Sequence, residues 1–192
     1  MKPRVLLDCD GILSDFVGGY LRLLEQHTGL VRTRDEVTAF DIGASLGLTP
    51  EQSSRMKRAI GEHEHFARSL AVYPGAVAGV AELQRIADVY IVTSPWNSNP
   101  TWTHDREQWL VEHFGIPPSR VVHTSAKHLV RGDMLVDDKT STLVEWEREH
   151  PTGIPIQWMT PHNEADDWTG YSTRDWSTLC AMVDARGEAV LR

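Results

Sequence analysis

Five short apolar runs limit what this chain can fold into: residues 4–7, 89–92, 120–123, 134–136 and 155–159. Each is too short for a buried helix, and polar or turn-forming residues bound them, which is the pattern of buried strands. Helix-like stretches lie between and after them at 76–87, 105–114, 141–150 and 174–185. Strand alternating with helix predicts an open parallel sheet covered on both faces and joined by right-handed crossovers. At 192 residues the chain can build one such core and a small additional unit.

Residues 16–73 break the rhythm. They read as a helix at 17–28, a loop around 40–47 and a second helix at 50–69, with Thr49 as N-cap ahead of Pro50. Tyr73-Pro74-Gly75 then interrupts the chain and can start the next helix. The expected organisation is an α/β core from residues 1–15 and 74–192, with a helical cap at 16–73 inserted behind the first strand. Hinges are expected near Phe16 and Tyr73.

Open parallel sheets collect their ligands beyond the carboxyl ends of the strands. Asp8-Cys9-Asp10-Gly11 follows the first run and Thr93-Ser94-Pro95 the second. Thr124-Ser125-Ala126-Lys127 follows the third, and Asp137-Asp138-Lys139 the fourth. Carboxylates, hydroxyls and ammonium groups are thus directed to one edge of the sheet. An aspartate can attack phosphorus and form an acyl-phosphate. A second carboxylate two residues on can protonate the leaving oxygen and later activate water. Such a carboxylate cluster needs a cation, and Mg²⁺ takes oxygen ligands and bridges carboxylates to phosphate. Asp137 and Asp138 would complete its cage, Thr93 would donate to a phosphoryl oxygen, and Lys127 would neutralise developing charge.

The net charge of −8 argues against polymeric nucleic acid as a partner, since that surface needs clustered Lys and Arg. A small phosphorylated substrate stays compatible, because a metal ion and one lysine can neutralise it locally. No apolar stretch approaches the length of a membrane span, and Met1-Lys2-Pro3-Arg4 leads into a strand-like run rather than a signal sequence. A cytoplasmic location and no membrane partner are therefore expected. Cys9 and Cys180 are far apart and without metal-ligand spacing, so both are expected reduced.

"DCDGILSD", "IVTS", Lys127 and "GDMLVDDK", in this order and spacing, resemble the haloacid dehalogenase superfamily of aspartate-nucleophile phosphohydrolases. The resemblance implies a Rossmann-like three-layer sandwich with a central parallel sheet and a small helical cap after the first strand. It makes Asp8 the nucleophile, Asp10 the acid/base, Thr93 the phosphate-binding hydroxyl and Lys127 the orienting cation. Mg²⁺ would be held by Asp8, Asp137 and Asp138, and by Asp10 through its backbone carbonyl. The presence of Asp10 points to phosphatase rather than dehalogenase chemistry.

Within the superfamily, "DxDGxxxDF", the insert behind it, "YPGA", "TSP" and "GDMLVDDK" are most similar to the 5′(3′)-deoxyribonucleotidases. That likeness implies a nucleoside monophosphate as substrate. Phe16 would lie against the base, Phe40 would come from the insert, and Ser94 would support the phosphate. Trp96 and Lys139 depart from the family pattern and are expected to reshape the substrate pocket. A sugar phosphate or other small phosphomonoester on the same site is the alternative, and a non-catalytic phosphate-binding module is a rival from another class. An acceptor other than water stays open, and a homodimer is possible by the same likeness.

Simpler roles fit other residues. Asp15 reads as the N-cap of the first cap helix. His63 and His65 read as solvated helix surface, since residues two apart on a helix do not converge. His104, His113, His123 and His128 read as surface or packing residues, with His128 singled out only for its place beside Lys127. Trp102, Trp109, Trp146, Trp158, Trp168 and Trp176 read as packing, whereas Trp96 sits in a loop beside Thr93. The acidic, aromatic segment 161–176 reads either as a surface strap or as part of the pocket rim.

Overall fold

Val5, Leu6 and Leu7 are all buried, as a strand covered on both faces requires. They belong to β1 (Arg4–Leu7), the inner strand of a sheet completed by β2 (Asp88–Thr93), β3 (Val121–His123), β4 (Met134–Asp137), β5 (Ile154–Trp158) and β6 (Tyr171–Thr173). The structure is a computed structural model that describes residues 2–190. Strand order is β3-β2-β1-β4-β5-β6, and every neighbouring pair is parallel. Leu7 lies opposite Ile91 on one side and Val136 on the other, so β1, β2 and β4 end together. From β1 the chain passes to β2 and β3 on one side, then crosses back over the sheet to place β4 on the other side of β1. This is the topological switch point where parallel sheets place their sites.

Alternation along β1 divides the core. Val5 and Leu7 pack with Val80 and Leu83 of α4 (Ala76–Ile86), Trp109 and Leu110 of α5 (Trp102–Phe114), and Leu179 and Val183 of α7 (Trp176–Val190). Leu6 turns to the other face, against Leu143 and Trp146 of α6 (Thr140–Glu149). Burying each such aliphatic side chain stabilises the fold by about 1.5–3 kcal/mol. The result is the three-layer α/β sandwich expected from the strand–helix rhythm.

The segment between β1 and α4 is helical: α1 (Phe16–Thr28), α2 (Ile42–Ser45) and α3 (Pro50–Glu62), followed by a 3₁₀ turn at Ala67–Ser69. Its own apolar cluster includes Tyr20, Leu23 and Leu24 of α1 and Met56 and Ile60 of α3. Thr49 caps α3 through a reciprocal capping box with Gln52, and Pro50 stands at the first turn. The two crossings between insert and sheet run side by side. Asp15 N donates to Ala71 O at 2.8 Å, and Tyr73 N to Leu13 O at 2.8 Å.

Two expectations are corrected. The helix expected over 50–69 stops at Glu62, because Asn99 from the loop after β2 donates its side-chain amide to Ile60 O at 2.7 Å and to His63 O at 2.9 Å. His65 then takes φ 61°, a left-handed conformation that turns the chain. His63 and His65 therefore lie beyond the helix rather than on its surface. The segment 161–176 contributes β6, a three-residue edge strand with Tyr171 and Ser172 exposed. Trp102 of α5 packs in the insert's apolar cluster, in line with its reading as a packing residue, from a position outside 16–73. Among the described residues, no helix is long and apolar enough to cross a membrane.

Candidate active site

Past Leu7 the chain keeps one more bond to the sheet, Asp8 N to Val136 O at 2.9 Å, and then turns sharply. Leu13 N and Ser14 N both return to Cys9 O, at 2.8 and 3.0 Å. Gly11 sits in this turn at φ 81°, and a Cβ there would lie 2.0 Å from Asp138 Oδ2. Only glycine lets the two loops close on each other.

Asp8, Asp137 and Asp138 are buried and bring one carboxylate oxygen each within 4.8 Å of the others. Lys127, in a short 3₁₀ turn after β3, bridges two of them: its Nζ lies 2.6 Å from Asp8 Oδ1 and 2.7 Å from Asp137 Oδ2. Asp137 Oδ1 accepts from Lys139 N at 2.9 Å, and Asp138 Oδ2 lies 2.9 Å from His162 Nε2. Asn163 fixes this loop from behind by donating to Asp138 O at 2.7 Å and to Trp158 O at 2.9 Å.

The electrostatics follow from crowding. Burial pushes the Asp8 carboxyl up to about 7; Lys127 opposes the rise and Asp137 adds to it. Asp137 and Asp138 are also raised, first by burial. Burial would lower Lys127, but the charges of Asp137 and Asp8 outweigh it and hold the ammonium protonated. One ammonium shared by two buried carboxylates leaves negative charge uncompensated. An all-oxygen donor set with surplus negative charge fits a hard divalent cation such as Mg²⁺.

Asp10 is arranged differently. Its carboxylate stands apart from the triad, with Oδ1 accepting from Arg106 Nη2 at 2.7 Å and from Ser14 Oγ at 2.5 Å. Thr93 ends β2 fully buried, and its hydroxyl has no hydrogen-bond partner among the described residues. A buried, unmet hydroxyl is costly unless an acceptor completes it. The adjoining Ser94 is exposed and lines the cavity.

That cavity, of about 400 Å³, lies between the carboxylates and the insert, and its size suits a small-molecule site. Phe16, Phe40, Ser94, Trp96 and Lys139, the residues singled out for substrate in the sequence, all line it. Phe16 stacks on Trp96 with ring centroids 6.1 Å apart and planes 30° from parallel, and Trp102 stands 6.3 Å from Phe16. Phe40 is 55% exposed; Lys139 Nζ lies 4.6 Å over its ring, and His162 meets its edge at 6.0 Å.

Three cavity or site residues escape sequence reasoning. His162, from the segment first read as strap or rim, lines the cavity, whereas His128 points instead towards Glu145 at 3.7 Å. Trp102 packs in the insert, as expected, and also forms part of the cavity wall. Arg106 reaches Asp10 from a helix with no motif. Its one signal is its place within the i, i+3, i+4, i+7 set Trp102, Asp105, Arg106, Trp109, the buried face of α5.

Residues 2–186 match the family described as 5′ nucleotidase, deoxy (pyrimidine), cytosolic type C. The chain is 30% identical over 184 residues to the human mitochondrial 5′(3′)-deoxyribonucleotidase, covering 86% of this chain and 80% of that one. It is 30% identical over 167 residues to the mouse protein of that name, covering 83% and 74%. Among solved structures, a haloacid dehalogenase-like family hydrolase from Streptococcus pneumoniae superposes with a TM-score of 0.63 at 13% identity, covering 94% of this chain and 98% of that one. YfnB from Bacillus subtilis, solved bound to magnesium, superposes with a TM-score of 0.58 at 15% identity, covering 95% and 99%.

Proposed function

The chain belongs to the 5′ nucleotidase, deoxy (pyrimidine), cytosolic type C family and is a phosphohydrolase, and from that membership we propose that it dephosphorylates nucleoside monophosphates, deoxyribonucleotides first. The observation that carries this reading is the meeting of Asp8, Lys127, Asp137 and Asp138 at the ends of three strands, with Asp10 beside them and an aromatic-walled cavity above.

Asp8 attacks phosphorus and the ester bond breaks, leaving an aspartyl-phosphate. Asp10 gives its proton to the departing oxygen, then takes one from the water that hydrolyses the intermediate. Lys127 holds Asp8 in place and offsets charge on the phosphoryl oxygens, while the Thr93 and Ser94 hydroxyls donate to them. Asp8, Asp137, Asp138 and the Asp10 carbonyl are the groups that would hold Mg²⁺. When bound, the ion lowers the repulsion between carboxylate and phosphate and polarises the phosphoryl group. Phe16, Trp96 and Trp102 offer apolar faces for a base, and Phe40 with Lys139 closes the outer side. Residues 16–73 act as the cap that excludes water and selects substrate.

A panel of deoxy- and ribonucleoside monophosphates and sugar phosphates, assayed with Mg²⁺ in excess, tests the reading. The expected outcome is the highest kcat/KM on a deoxynucleoside monophosphate, at least about tenfold above any sugar phosphate, the span that one good pocket contact supplies. Sugar phosphates equal to or above nucleotides would refute it.

A further inference from the structure

Arg106 is a fully buried cation whose position the reaction scheme leaves unexplained. Its guanidinium lies between two indoles, 5.4 Å from the Trp102 ring centroid and 5.5 Å from that of Trp109. Nη2 donates to Asp10 Oδ1 at 2.7 Å, and Nη1 donates to Ser14 Oγ at 2.8 Å and to Cys9 Sγ at 3.1 Å. Ser14 Oγ is itself 2.5 Å from the same Asp10 Oδ1.

Arginine has donors and no acceptor, so the Ser14 oxygen must receive from Arg106. The single proton of that hydroxyl then points to Asp10 Oδ1. Cys9 does not reverse the order, because its buried Sγ also accepts from Arg106. Two donors therefore converge on Oδ1, and the ring Arg106–Ser14–Asp10 has one consistent direction. A third proton has no place on that oxygen.

We propose that Arg106 and Ser14 form a clamp that reserves Asp10 Oδ1, so that the proton transferred in catalysis is carried by Oδ2. The inference rests on Asp10 being the acid/base. In the first step the Asp8–phosphorus bond forms while the ester P–O bond breaks. The electron pair of the broken bond goes to the leaving oxygen, which takes the proton from Oδ2. The products are the alcohol, the aspartyl-phosphate and an Asp10 carboxylate whose Oδ1 is already met by Arg106. In the second step Oδ2 takes a proton from the attacking water. Arg106 acts through Asp10 and is a positioning residue. Its mounting between Trp102 of the cavity wall and Trp109 of the sheet core holds it rigid.

The test compares Arg106→Met, Arg106→Lys, Ser14→Ala and Asp10→Asn with the unaltered enzyme, all with Mg²⁺. It uses two leaving groups in pre-steady-state assays. p-Nitrophenolate departs without a proton, whereas the sugar alkoxide of a nucleoside 5′-monophosphate does not. Phosphorylation from the nucleotide should fall about 100-fold in Arg106→Met, the low end of what general acid catalysis supplies, and about tenfold in Ser14→Ala, which keeps the arginine contact. The nitrophenolate burst should stay within about threefold and KM should hold, with Arg106→Lys recovering most of the loss. Equal losses on both substrates, or no loss in either, would overturn the clamp. If Arg106→Met does not fold, Ser14→Ala and Arg106→Lys carry the same comparison. Asp10→Asn separates the two levels. If it spares nucleotide phosphorylation, the acid/base reading itself falls and the clamp with it. If it shows the leaving-group signature while the Arg106 and Ser14 variants do not, the clamp alone falls.

Discussion

Asp8 carries the two sharpest consequences at the scale of single residues. Asp8→Asn keeps the volume and removes the proposed nucleophile, so turnover should fall on the order of 10³-fold or more while the circular dichroism spectrum is unchanged. The same carboxyl should also leave a mark on stability. Its folded pKa of about 7 lies above its ordinary value of 3.8, chiefly because of burial. Between those values the folded state holds a proton that the unfolded chain has lost, so this group's contribution is fully present at low pH and is lost as pH rises through about 7. Without metal, thermal scans should therefore show the unaltered protein losing stability relative to Asp8→Asn from about pH 4 to 7. Excess Mg²⁺, which needs the ionised carboxylate, should protect strongly at pH 8 and little at pH 5; at 100 times its dissociation constant the gain would be about 2.7 kcal/mol. The gathering of Asp8, Asp10, Lys127 and Asp137 at one edge of the sheet was legible because each lies at or within a few residues of the end of an apolar run. Arg106 and His162 were not. One lies inside a helix whose buried face is known only after folding, and the other reaches Asp138 from 24 residues away.

Among the secondary-structure elements, the joins between insert and sheet are the informative places. Asp15 caps α1 by accepting from Gly18 N at 2.8 Å, as its position foretold, and it also takes Arg34 Nη2 at 2.6 Å. Burial would raise this carboxyl, but the bonds from Arg34 and Gly18 outweigh it and hold it below the usual range. A lowered folded pKa gives stability that is present above the ordinary value and lost as pH falls through the folded one. Asp15→Asn keeps a cap oxygen and loses the ion pair. It should cost about 1 kcal/mol or less at pH 7, because Arg34 is partly exposed, and the difference should close on acidification below about pH 4. Asn99 is the stronger tie: its amide ends α3, and its Oδ1 accepts from Thr101 N at 3.0 Å. Asn99→Ala leaves Ile60 O unmet, while His63 O keeps its bond from Phe66 N at 3.3 Å, and should cost about 1–3 kcal/mol in urea denaturation. It should also raise KM, since Trp96 rides on the same loop. The strand–helix rhythm was readable because local periodicity writes it. The end of α3 was not, since the residue that caps it, Asn99, lies 39 residues beyond Ile60, and β6 was too short and too polar on its exposed side to read as a strand.

Across the whole molecule, α5 belongs to two cores at once. Trp102 near its start is buried in the insert's cluster, while Trp109 two turns on is buried against the sheet and donates Nε1 to Leu70 O at 2.8 Å. Asp105 between them is 1% exposed and lies 2.9 Å from His65 Nδ1, where the insert turns back to the sheet. Insert and sheet therefore share a rigid element as well as two chain crossings, and a helix cannot lose one turn's packing without loosening the next. This arrangement predicts one cooperative unfolding transition rather than early melting of residues 16–73. Fluorescence, which reports the tryptophans, and far-ultraviolet circular dichroism, which reports all helices, should give coincident urea curves. Trp102→Ala removes a side chain that is 2% exposed and should cost about 3–5 kcal/mol. Because the loss falls at the junction, that variant should separate the two curves, with helical signal from the insert lost first. Curves that stay coincident in Trp102→Ala, or that are already separate in the unaltered protein, would show that α5 does not couple the two cores.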